Sequence, residues 1–324
     1  MWFQAKAHAN IALIKYWGKR DKTLNLPQTG SLSLTLDALS TQTKVRFKED
    51  LKNDKITLNG TELGDDAKRP LINFLNIFRT SVGSNLKAEI ISDNNFPTAS
   101  GLASSSSGYA ALAKATTMAF DLNTSDKDLS VLARRGSGSA ARSVFGGFVE
   151  MLPGVLSYGS DAYARPLDSS FHDIAMIICV VGGGKKKDVS SRDAMNHCKA
   201  TSPYFDSWIK QVPMDLKECK KLLKGDDLEP LGRLVEANAL AMHAAAMASR
   251  PSTLFFQPQT LALLKTVTEF RKTGMQAYAT MDAGPHVKVL CRKSDANALT
   301  AKLSNQFPEI KTITAGIGAG VQAT

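Results

Sequence analysis

Strand periodicity dominates the beginning of the chain. Leucines recur at every second position from residue 32 to 36, and we predict a strand hairpin or meander over 31–47. The segment 54–63 adds a short hairpin, because Asn59-Gly60 is a favoured two-residue turn. The apolar spacing then predicts a helix, a strand and an alanine-rich helix, over 66–82, 86–92 and 108–120.

A turn follows this alanine-rich helix, and Ser125 is the expected N-cap of the next helix, with Asp128 three residues later. The stretch RRGSGSAARSVFGGFVEM, residues 134–151, predicts a glycine-serine turn, a short helix and a strand. The pattern restarts near residue 173 with DIAMIICVV, an apolar run typical of a buried strand. Either Ser190 or Ser191 is expected to cap the helix after it.

Residues 203–248 have the pattern of consecutive helices, with Pro213 and Gly225 as the expected breaks. A helix is predicted near 258–272, followed by strands near 276–281 and 286–292. A last helix is predicted from about residue 294, and the segment KTITA is predicted to be the final strand. The chain is therefore predicted to be α+β with two lobes, residues 1–170 and 171–324.

The composition is that of a folded protein with a basic surplus. Of 324 residues, 43% are hydrophobic and 22% are charged, close to the usual globular mixture, so disorder is not expected. The formal charge of +10 suits nucleic acid or a polyanionic small molecule. The basic residues are scattered, with tight runs only at 134–135 and 185–187 and no interleaved aromatic residues, which argues against nucleic acid.

The cysteines and the N-terminus indicate the cellular compartment of the protein. None of the four cysteines forms a CxxC pair or a cluster with histidine, so we expect reduced thiols in a cytoplasmic protein and no zinc site. His8 and His243 are expected to be ordinary, partly buried residues. The N-terminus lacks a signal-peptide pattern and no stretch approaches about 20 apolar residues, so no membrane span is expected.

The stretch PTASGLASSSSGYAAL, residues 97–112, joins small residues to the start of a helix. A helix N-terminus leaves about four backbone N–H groups unpaired and carries a partial positive charge. Gly101 and Ala103 let an anion approach the backbone, and the four serines that follow add hydroxyl donors. The stretch is either an anion-binding loop or a surface linker. We favour the first, because Pro97 fixes the entry and an alanine-rich helix follows directly.

Five stretches, in order from residue 7 to 290, carry a resemblance that covers essentially the whole chain. PTASGLASS with its helix resembles the phosphate-binding loop of the GHMP small-molecule kinase superfamily. The other four resemble the opening signature and three later segments of mevalonate diphosphate decarboxylases: AHANIALIKYWGKRDKTLNLP, RRGSGSAARSVFGGFVE, VSSRDAM and MDAGPHVKVL. Departures at Ser106, Ser107, Met281 and His286, and in PQTGSLSL, are expected to adjust contacts without removing the activity.

This resemblance implies a GHMP kinase-like fold. Its N-terminal lobe is ribosomal-protein-S5-like and carries the ATP-binding loop, and its C-terminal lobe is ferredoxin-like α/β and completes the substrate cleft. The implied reaction uses ATP and Mg²⁺ to phosphorylate the 3-hydroxyl of mevalonate 5-diphosphate. Phosphate and CO2 then leave, which gives isopentenyl diphosphate for isoprenoid biosynthesis. The resemblance also implies a cytoplasmic homodimer that acts on small molecules, without nucleic acid or membrane partners.

Three residues carry the implied chemistry. Asp282 faces the 3-hydroxyl as general base or orienting carboxylate. Lys15 lowers the pKa of that carboxylate and helps to neutralise the transferring phosphoryl group. Arg142 holds the substrate carboxylate, because a guanidinium binds carboxylates bidentately. The alternatives are an Asp that caps a turn and a solvated pair of lysines, Lys15 and Lys19, beside a core Trp17.

The same resemblance implies two sets of binding residues. The substrate set is Asn10, Tyr16, Lys19, Ser137, Gly138, Ser139, Ser191, Arg192 and Met195. The ATP set is Pro97, Ser100, Gly101, Leu102, Ala103, Ser104, Ser105 and Lys187. Turn, core and solvated-loop roles remain the alternatives for Asn10, Met195 and Lys187. No protein ligand set for a metal is indicated, and Arg134 and Arg135 are expected to be surface charges or structural pairs.

Two other functions stay open. A sister kinase phosphorylates mevalonate or its phosphate on the same fold without decarboxylation. The combination of Lys19, Ser139, Arg142, Arg192 and Asp282 favours the decarboxylase instead. A basic RNA-binding protein is the third candidate, because a β-α-β arrangement also occurs in RNA-binding domains and fold alone does not exclude it.

Overall fold

The computed structural model describes residues 1–96, 103–184 and 190–324, in which two sheets are flanked by helices. The described strands are β1 Phe3–Ile14, β2 Lys19–Asp21, β3 Leu26–Pro27, β4 Ser31–Lys48, β5 Lys55–Leu58, β6 Thr61–Glu62, β7 Lys87–Asn94, β8 Phe148–Met151, β9 Ala164–Leu167, β10 Ile174–Val180, β11 Ala277–Thr280, β12 Val287–Arg292, β13 Lys311–Ala315 and β14 Gln322–Ala323. The described helices are α1 Asp65–Val82, α2 Ser104–Ala119, α3 Asp126–Gly136, α4 Ser191–Thr201, α5 Phe205–Leu222, α6 Leu228–Met247, α7 Pro258–Lys272 and α8 Lys293–Gln306, with 3-10 helices at Gly138–Val144 and Val181–Gly184.

Strand β4 is the centre of the first sheet, which runs β14-β1-β4-β7-β5-β6 with β8 and β9 added beside β4. It is one strand of 18 residues, so the predicted hairpin or meander over 31–47 is wrong. Its pairing with β1 shifts register between His8 and Asn10. Such an irregularity bends a strand without a turn. The first part of β4 therefore pairs with β8 and the last part with β7.

Helix α2 packs on β1 and β4 through small residues, and it begins at Ser104, earlier than the predicted start at residue 108. Ser106 and Ser107 are fully buried in its first turn. The Ser107 hydroxyl lies 2.6 Å from the Thr41 hydroxyl of β4, and the Ser106 hydroxyl donates to the Ala103 carbonyl at 2.7 Å. The second pair of serines therefore attaches the helix to the sheet and to its own N-terminus.

Strand β10 explains why its run DIAMIICVV is apolar throughout. It pairs with β12 and β13 in the antiparallel sheet β11-β12-β10-β13, and both of its faces are covered. Met176 and Ile178 face the core that joins the two lobes. Ile177 and Cys179 face a second core under α7 and α8. The predicted buried strand is confirmed, because a strand covered on both sides loses its alternation.

Helix α5 continues through Pro213, so the predicted break there is wrong. A proline inside a helix removes one hydrogen bond and costs about 3 kcal/mol. Phe205, Trp208, Val212 and Cys219 lie on both sides of the proline and are buried on the same face. Their packing outweighs the local cost. The break at Gly225 is confirmed, and Ser125 and Ser190 cap α3 and α4.

The end of the chain returns to the first sheet after the second sheet is complete. The Gly318 N–H donates to the Thr35 carbonyl at 2.8 Å, and the Gly147 N–H donates to the Gly318 carbonyl at 3.0 Å. Strand β14 then pairs with β1. The final residues therefore connect β4 to the 3-10 helix Gly138–Val144.

All four cysteines are free and buried. Within residues 1–96, 103–184 and 190–324, none of the helices has the length and apolar character needed to cross a lipid bilayer.

We predict that Gly318→Ala destabilises the protein, because its new Cβ meets the Leu36 carbonyl carbon at 2.6 Å. Backbone atoms cannot move aside as side chains do, so a loss of about 1–3 kcal/mol is expected. Thermal or denaturant unfolding measures it. Gly225→Ala is the control, because its Cβ meets only an ordinary contact at 3.5 Å. Equal stability of the two variants contradicts the close approach of the terminal segment.

Candidate active site

A cavity of about 580 Å³ lies between the lobes, where β1, α2, the 3-10 helix Gly138–Val144, α4 and the end of β11 converge. It is lined by every predicted site residue that the structure describes: Asn10, Lys15, Tyr16, Lys19, Ala103, Ser104, Ser105, Ser137, Gly138, Ser139, Arg142, Ser191, Arg192, Met195 and Asp282. The remaining predicted residues lie outside the described part of the chain: Pro97, Ser100, Gly101, Leu102 and Lys187.

Asp282 lies two residues after the end of β11 and forms ion pairs with two lysines. Lys15 Nζ is 3.0 Å from its Oδ1, and Lys288 Nζ is 3.2 Å from its Oδ2. Both lysine side chains are 1% exposed, whereas the aspartate is 26% exposed and faces the cavity. Burial alone raises the pKa of the Asp282 carboxyl, but the two lysines outweigh it and hold this pKa well below its usual range. The carboxylate is therefore ionised and a weak base.

Lys15 directly follows strand β1, and hydrogen bonds hold both its backbone and its side chain. Its ammonium group donates to the Ala12 carbonyl at 2.6 Å as well as to Asp282. Its backbone N–H donates to Asn238 Oδ1 at 2.8 Å, and Asn238 donates in turn to Asp215 at 2.7 Å. Burial lowers the Lys15 pKa to about 8, a shift that the Asp282 charge partly offsets. The ion pair keeps this buried amine charged near neutral pH.

His243 lies behind the aspartate on α6 and is fully buried, so its predicted partial exposure is wrong. Its ring packs against Phe255 and Phe256. Burial and the positive charge of Lys15 lower the pKa of His243 to about 3. The imidazole is therefore neutral and adds no charge beside the carboxylate.

Arg142 is a buried cation that the 3-10 helix directs into the cavity. Its guanidinium donates to the Ser31 hydroxyl at 2.6 Å, the Ser33 hydroxyl at 3.0 Å and Asn10 Oδ1 at 3.2 Å. Within the described residues these hydrogen-bond partners include no carboxylate. Burial lowers its pKa to about 10, so it stays charged near neutral pH. A buried guanidinium with neutral partners is suited to bind a carboxylate from a ligand.

Tyr16 and Lys19 form the wall opposite the glycine-serine turn. Lys19 Nζ donates to Asn25 Oδ1 at 2.6 Å. Burial and the positive charge of Arg192 lower the pKa of Lys19 to about 8. Gly138 lies so close to Tyr16 that a Cβ at position 138 would be 2.3 Å from the tyrosine oxygen. The glycine-serine turn therefore lies close to Tyr16. Its serine hydroxyls and backbone groups line the same cavity as the cations Lys19 and Arg192.

The N-terminus of α2 has the features that an anion requires. No described side chain caps this end, and Ala103 takes a left-handed backbone with φ 58°. Its first turn contains no acidic residue, and Ser104 and Ser105 line the cavity. The same two serines also line a second, mostly apolar cavity of about 170 Å³, bounded by Ile56, Leu58, Leu63, Leu71 and Ile90 among others.

The charges of the described lining suit a polyanion. Lys15, Lys19, Arg142 and Arg192 face one carboxylate, Asp282. Over the parts of the chain that are described, His, Cys, Asp and Glu form no group of three or more that could hold a metal ion.

Family models match both lobes. The diphosphomevalonate decarboxylase-like N-terminal domain matches residues 7–164, and the mevalonate 5-diphosphate decarboxylase C-terminal domain matches residues 176–320. This chain belongs to the diphosphomevalonate decarboxylase family.

Individual relatives agree over nearly the full length. The diphosphomevalonate decarboxylase of Ganoderma lucidum is 36% identical over 98% of this chain and 86% of its own. A solved structure of MDDEF in complex with MVAPP, AMPPCP and magnesium is 40% identical, with a TM-score of 0.95 over 100% of this chain and 99% of its own. A structure of the mevalonate diphosphate decarboxylase from Enterococcus faecalis is 39% identical, with a TM-score of 0.94 over 100% of this chain and 99% of its own. The predicted two-lobed α+β fold of the GHMP kinase type is confirmed.

The predicted site set of this decarboxylase-family chain missed several residues at or beside the cavity, of which Lys288 and Tyr109 carry polar groups of interest. Lys288 is a lone lysine inside the apolar run HVKVL, which is an unusual position for a charge. Tyr109 lines the cavity from the helix after the serine loop. Both lie on elements that the sequence predicted, but their direction depends on how those elements pack.

Arg134 resolves an alternative that the sequence left open. It is fully buried and donates to the carbonyls of Leu24, Gly159 and Ala162. Its surface interpretation is therefore wrong, and its role is structural.

We predict that Arg142→Met leaves the stability of the ligand-free protein unchanged within about 1 kcal/mol or raises it, because removal of a buried charge whose described hydrogen-bond partners are neutral relieves desolvation. Thermal unfolding measures this. Arg79→Met is the contrasting variant, because it removes the ion-pair partner of the buried Asp54. That change is expected to cost about 3–5 kcal/mol. Equal losses in both variants contradict the uncompensated charge at Arg142.

Proposed function

We propose that this chain converts mevalonate 5-diphosphate and ATP to isopentenyl diphosphate, ADP, phosphate and CO2. The observation that carries the proposal is the Asp282 carboxylate, fixed by two lysines on the wall of a cleft that holds the uncompensated cation Arg142. Such a site offers one group for a hydroxyl and separate groups for two anions. Family membership supplies the substrate class that matches this arrangement.

The anionic ends of the substrate match the cations of the cleft. We assign its carboxylate to Arg142, the buried guanidinium with neutral partners. We assign its diphosphate to Lys19, Arg192 and the Ser137–Ser139 turn, which lie together on the cavity wall. The apolar part of the substrate then faces Met195, which is buried and lines the same wall.

ATP and Mg²⁺ fit the features at the start of α2. The uncapped helix end with Ser104 and Ser105 suits phosphate oxygens, and the adjoining apolar cavity suits a flat base. A relative with the same fold binds AMPPCP and magnesium together with MVAPP. Bound MgATP supplies the phosphoryl group that makes the 3-oxygen a leaving group. We assign its binding to Ala103, Ser104 and Ser105, and the sequence adds Pro97, Ser100, Gly101, Leu102 and Lys187.

Asp282 orients the 3-hydroxyl by accepting its hydrogen bond. Because two lysines hold the pKa of this carboxyl below its usual range, orientation is favoured over full proton removal. Lys15 stabilises negative charge at the reacting oxygen, and the Asp282 charge stabilises positive charge at the tertiary carbon as the oxygen departs. Arg142 holds the carboxylate in alignment until CO2 is released.

The homodimer and the cytoplasmic location implied by the resemblance remain part of this proposal. Four free, buried cysteines suit a reducing compartment.

One assay separates the candidate functions. With Mg-ATP and mevalonate 5-diphosphate, the purified protein is expected to release CO2, ADP and phosphate in equal amounts, because each turnover transfers and expels one phosphoryl group. Coupled ADP detection and trapped CO2 measure this. ADP formation from mevalonate or its phosphate without CO2 identifies a sister kinase. Absence of turnover together with salt-sensitive RNA binding identifies a nucleic-acid-binding protein.

We predict that kcat/KM for the diphosphate substrate falls above about pH 8. The pKa values of Lys15 and Lys19 are lowered to about 8, so both amines lose charge in the free enzyme as pH rises through this value. The limb in kcat is expected at higher pH, because bound anions favour the charged amines. Steady-state kinetics from pH 6 to 10 test this.

Lys19→Arg is the control for this pH profile, because arginine keeps its charge throughout the range. Its basic limb is expected to report one proton instead of two. A constant kcat/KM up to pH 10 in the unsubstituted enzyme contradicts a requirement for Lys15 and Lys19 amines that lose their charge near pH 8.

A further inference from the structure

Lys288 occupies a position where a charged residue is costly. It lies in β12, which is covered by β10 and β11 on its two edges, and its register partners are Ile178 and Thr280. Its side chain is 1% exposed. Its neighbours Val287 and Val289 face the second core, whereas Leu290 faces the core between the lobes on the same side as Lys288. A lysine buried in a sheet requires a partner that offsets its desolvation.

That partner is Asp282, which Lys288 approaches from behind. Lys288 Nζ lies 3.2 Å from Oδ2, whereas Lys15 Nζ lies 3.0 Å from Oδ1. Asp282 and Lys15 line the cavity, and Lys288 is absent from the described lining. The ion pair spans the turn between β11 and β12, since Asp282 lies two residues after β11 and Lys288 is the second residue of β12. The carboxylate is therefore held from both sides, with its plane fixed.

We propose that Lys288 is a positioning residue of the reaction: its ion pair with Oδ2 fixes the Asp282 carboxylate so that Oδ1 is presented to Lys15 and to the substrate hydroxyl. This inference rests on the proposed function. Lys288 touches neither substrate nor ATP in this arrangement, so its effect passes through Asp282 alone.

The charged and titratable groups around Asp282 come from four places in the fold. Lys15 directly follows β1, Lys288 is on β12, Arg142 is on the 3-10 helix and His243 is on α6. His243 is neutral, because burial and the Lys15 charge lower its pKa to about 3. Removal of Lys288 therefore leaves Lys15 as the direct ion-pair partner of Asp282 in the described structure. The pKa of the Asp282 carboxyl then rises, and the carboxylate group is free to rotate because Oδ2 has lost its ion pair with Lys288.

The test compares Lys288→Met with the unsubstituted enzyme in the CO2-release assay. We expect kcat to fall about 10- to 100-fold, the range found for partners that orient functional groups. KM for both substrates is expected to stay within about threefold, because Lys288 is outside the described cavity lining. The acid limb of kcat is expected to move up by about one pH unit or more, since loss of one nearby charge raises a carboxyl pKa by this amount.

Two variants separate positioning from general stability. Lys288→Arg keeps the charge, and its acid limb is expected to stay at the wild-type pH even where packing lowers kcat. Lys220→Met is the remote match, because it removes one of two cations from the buried Glu150, which keeps Arg165. It is expected to lower Tm and leave the pH profile unchanged. If Lys288→Met does not fold, Lys288→Gln retains a hydrogen-bond donor and carries the same measurement.

The outcomes are distinct. A wild-type acid limb with unchanged kcat in Lys288→Met or Lys288→Gln overturns the inference while the proposed function stands. An equal shift of the acid limb in Lys288→Arg also overturns it, because the charge is then irrelevant. No CO2 release by the unsubstituted enzyme overturns the proposed function itself.

Discussion

The Asp282 carboxylate forms ion pairs with two buried lysines, Lys15 from the first lobe and Lys288 from the second. The arrangement of the cleft depends on these two contacts. Each lysine is 1% exposed and would be strongly destabilising without a counter-charge. Their burial therefore requires the end of β1 and the β11–β12 turn to meet at one place. The ion pairs fix the position of the carboxylate and the approach of the lobes together.

The same site contains two cations, Lys19 and Arg142, whose described hydrogen-bond partners include no carboxylate, and such burial lowers stability in favour of binding. Arg142 is surrounded by hydroxyl and amide oxygens, and Lys19 is held by an amide oxygen of Asn25. Neutral partners orient a cation without neutralising it, so its charge remains available to an anion from outside. Functional sites commonly trade stability for such pre-organisation. The neutral His243 extends this logic, because it packs beside the carboxylate without competing for it.

Local sequence patterns predicted most elements, and the failures have tertiary causes. Ser125, Ser190 and Gly225 act over one helical turn, so their effects were predictable. Strand β4 was expected to turn, but a register shift against β1 bends it instead. Helix α5 crosses Pro213 because buried side chains on both sides outweigh one lost hydrogen bond. The local sequence pattern contains neither the strand β1 that pairs with β4 nor the core that packs against α5.

The sequence by itself determined the family, the α+β class and the residue types of the cleft, because short motifs encode turns, caps and reactive groups locally. Tertiary structure decided which of these groups touch. Lys15 and Asp282 are separated by 267 positions in the chain and meet at 3.0 Å. In the sequence, Lys288 is only a lysine inside an apolar strand pattern. The sheet places its side chain beside the Asp282 carboxylate. Charge compensation depends on distances in space, and only the packing of the two lobes sets those distances.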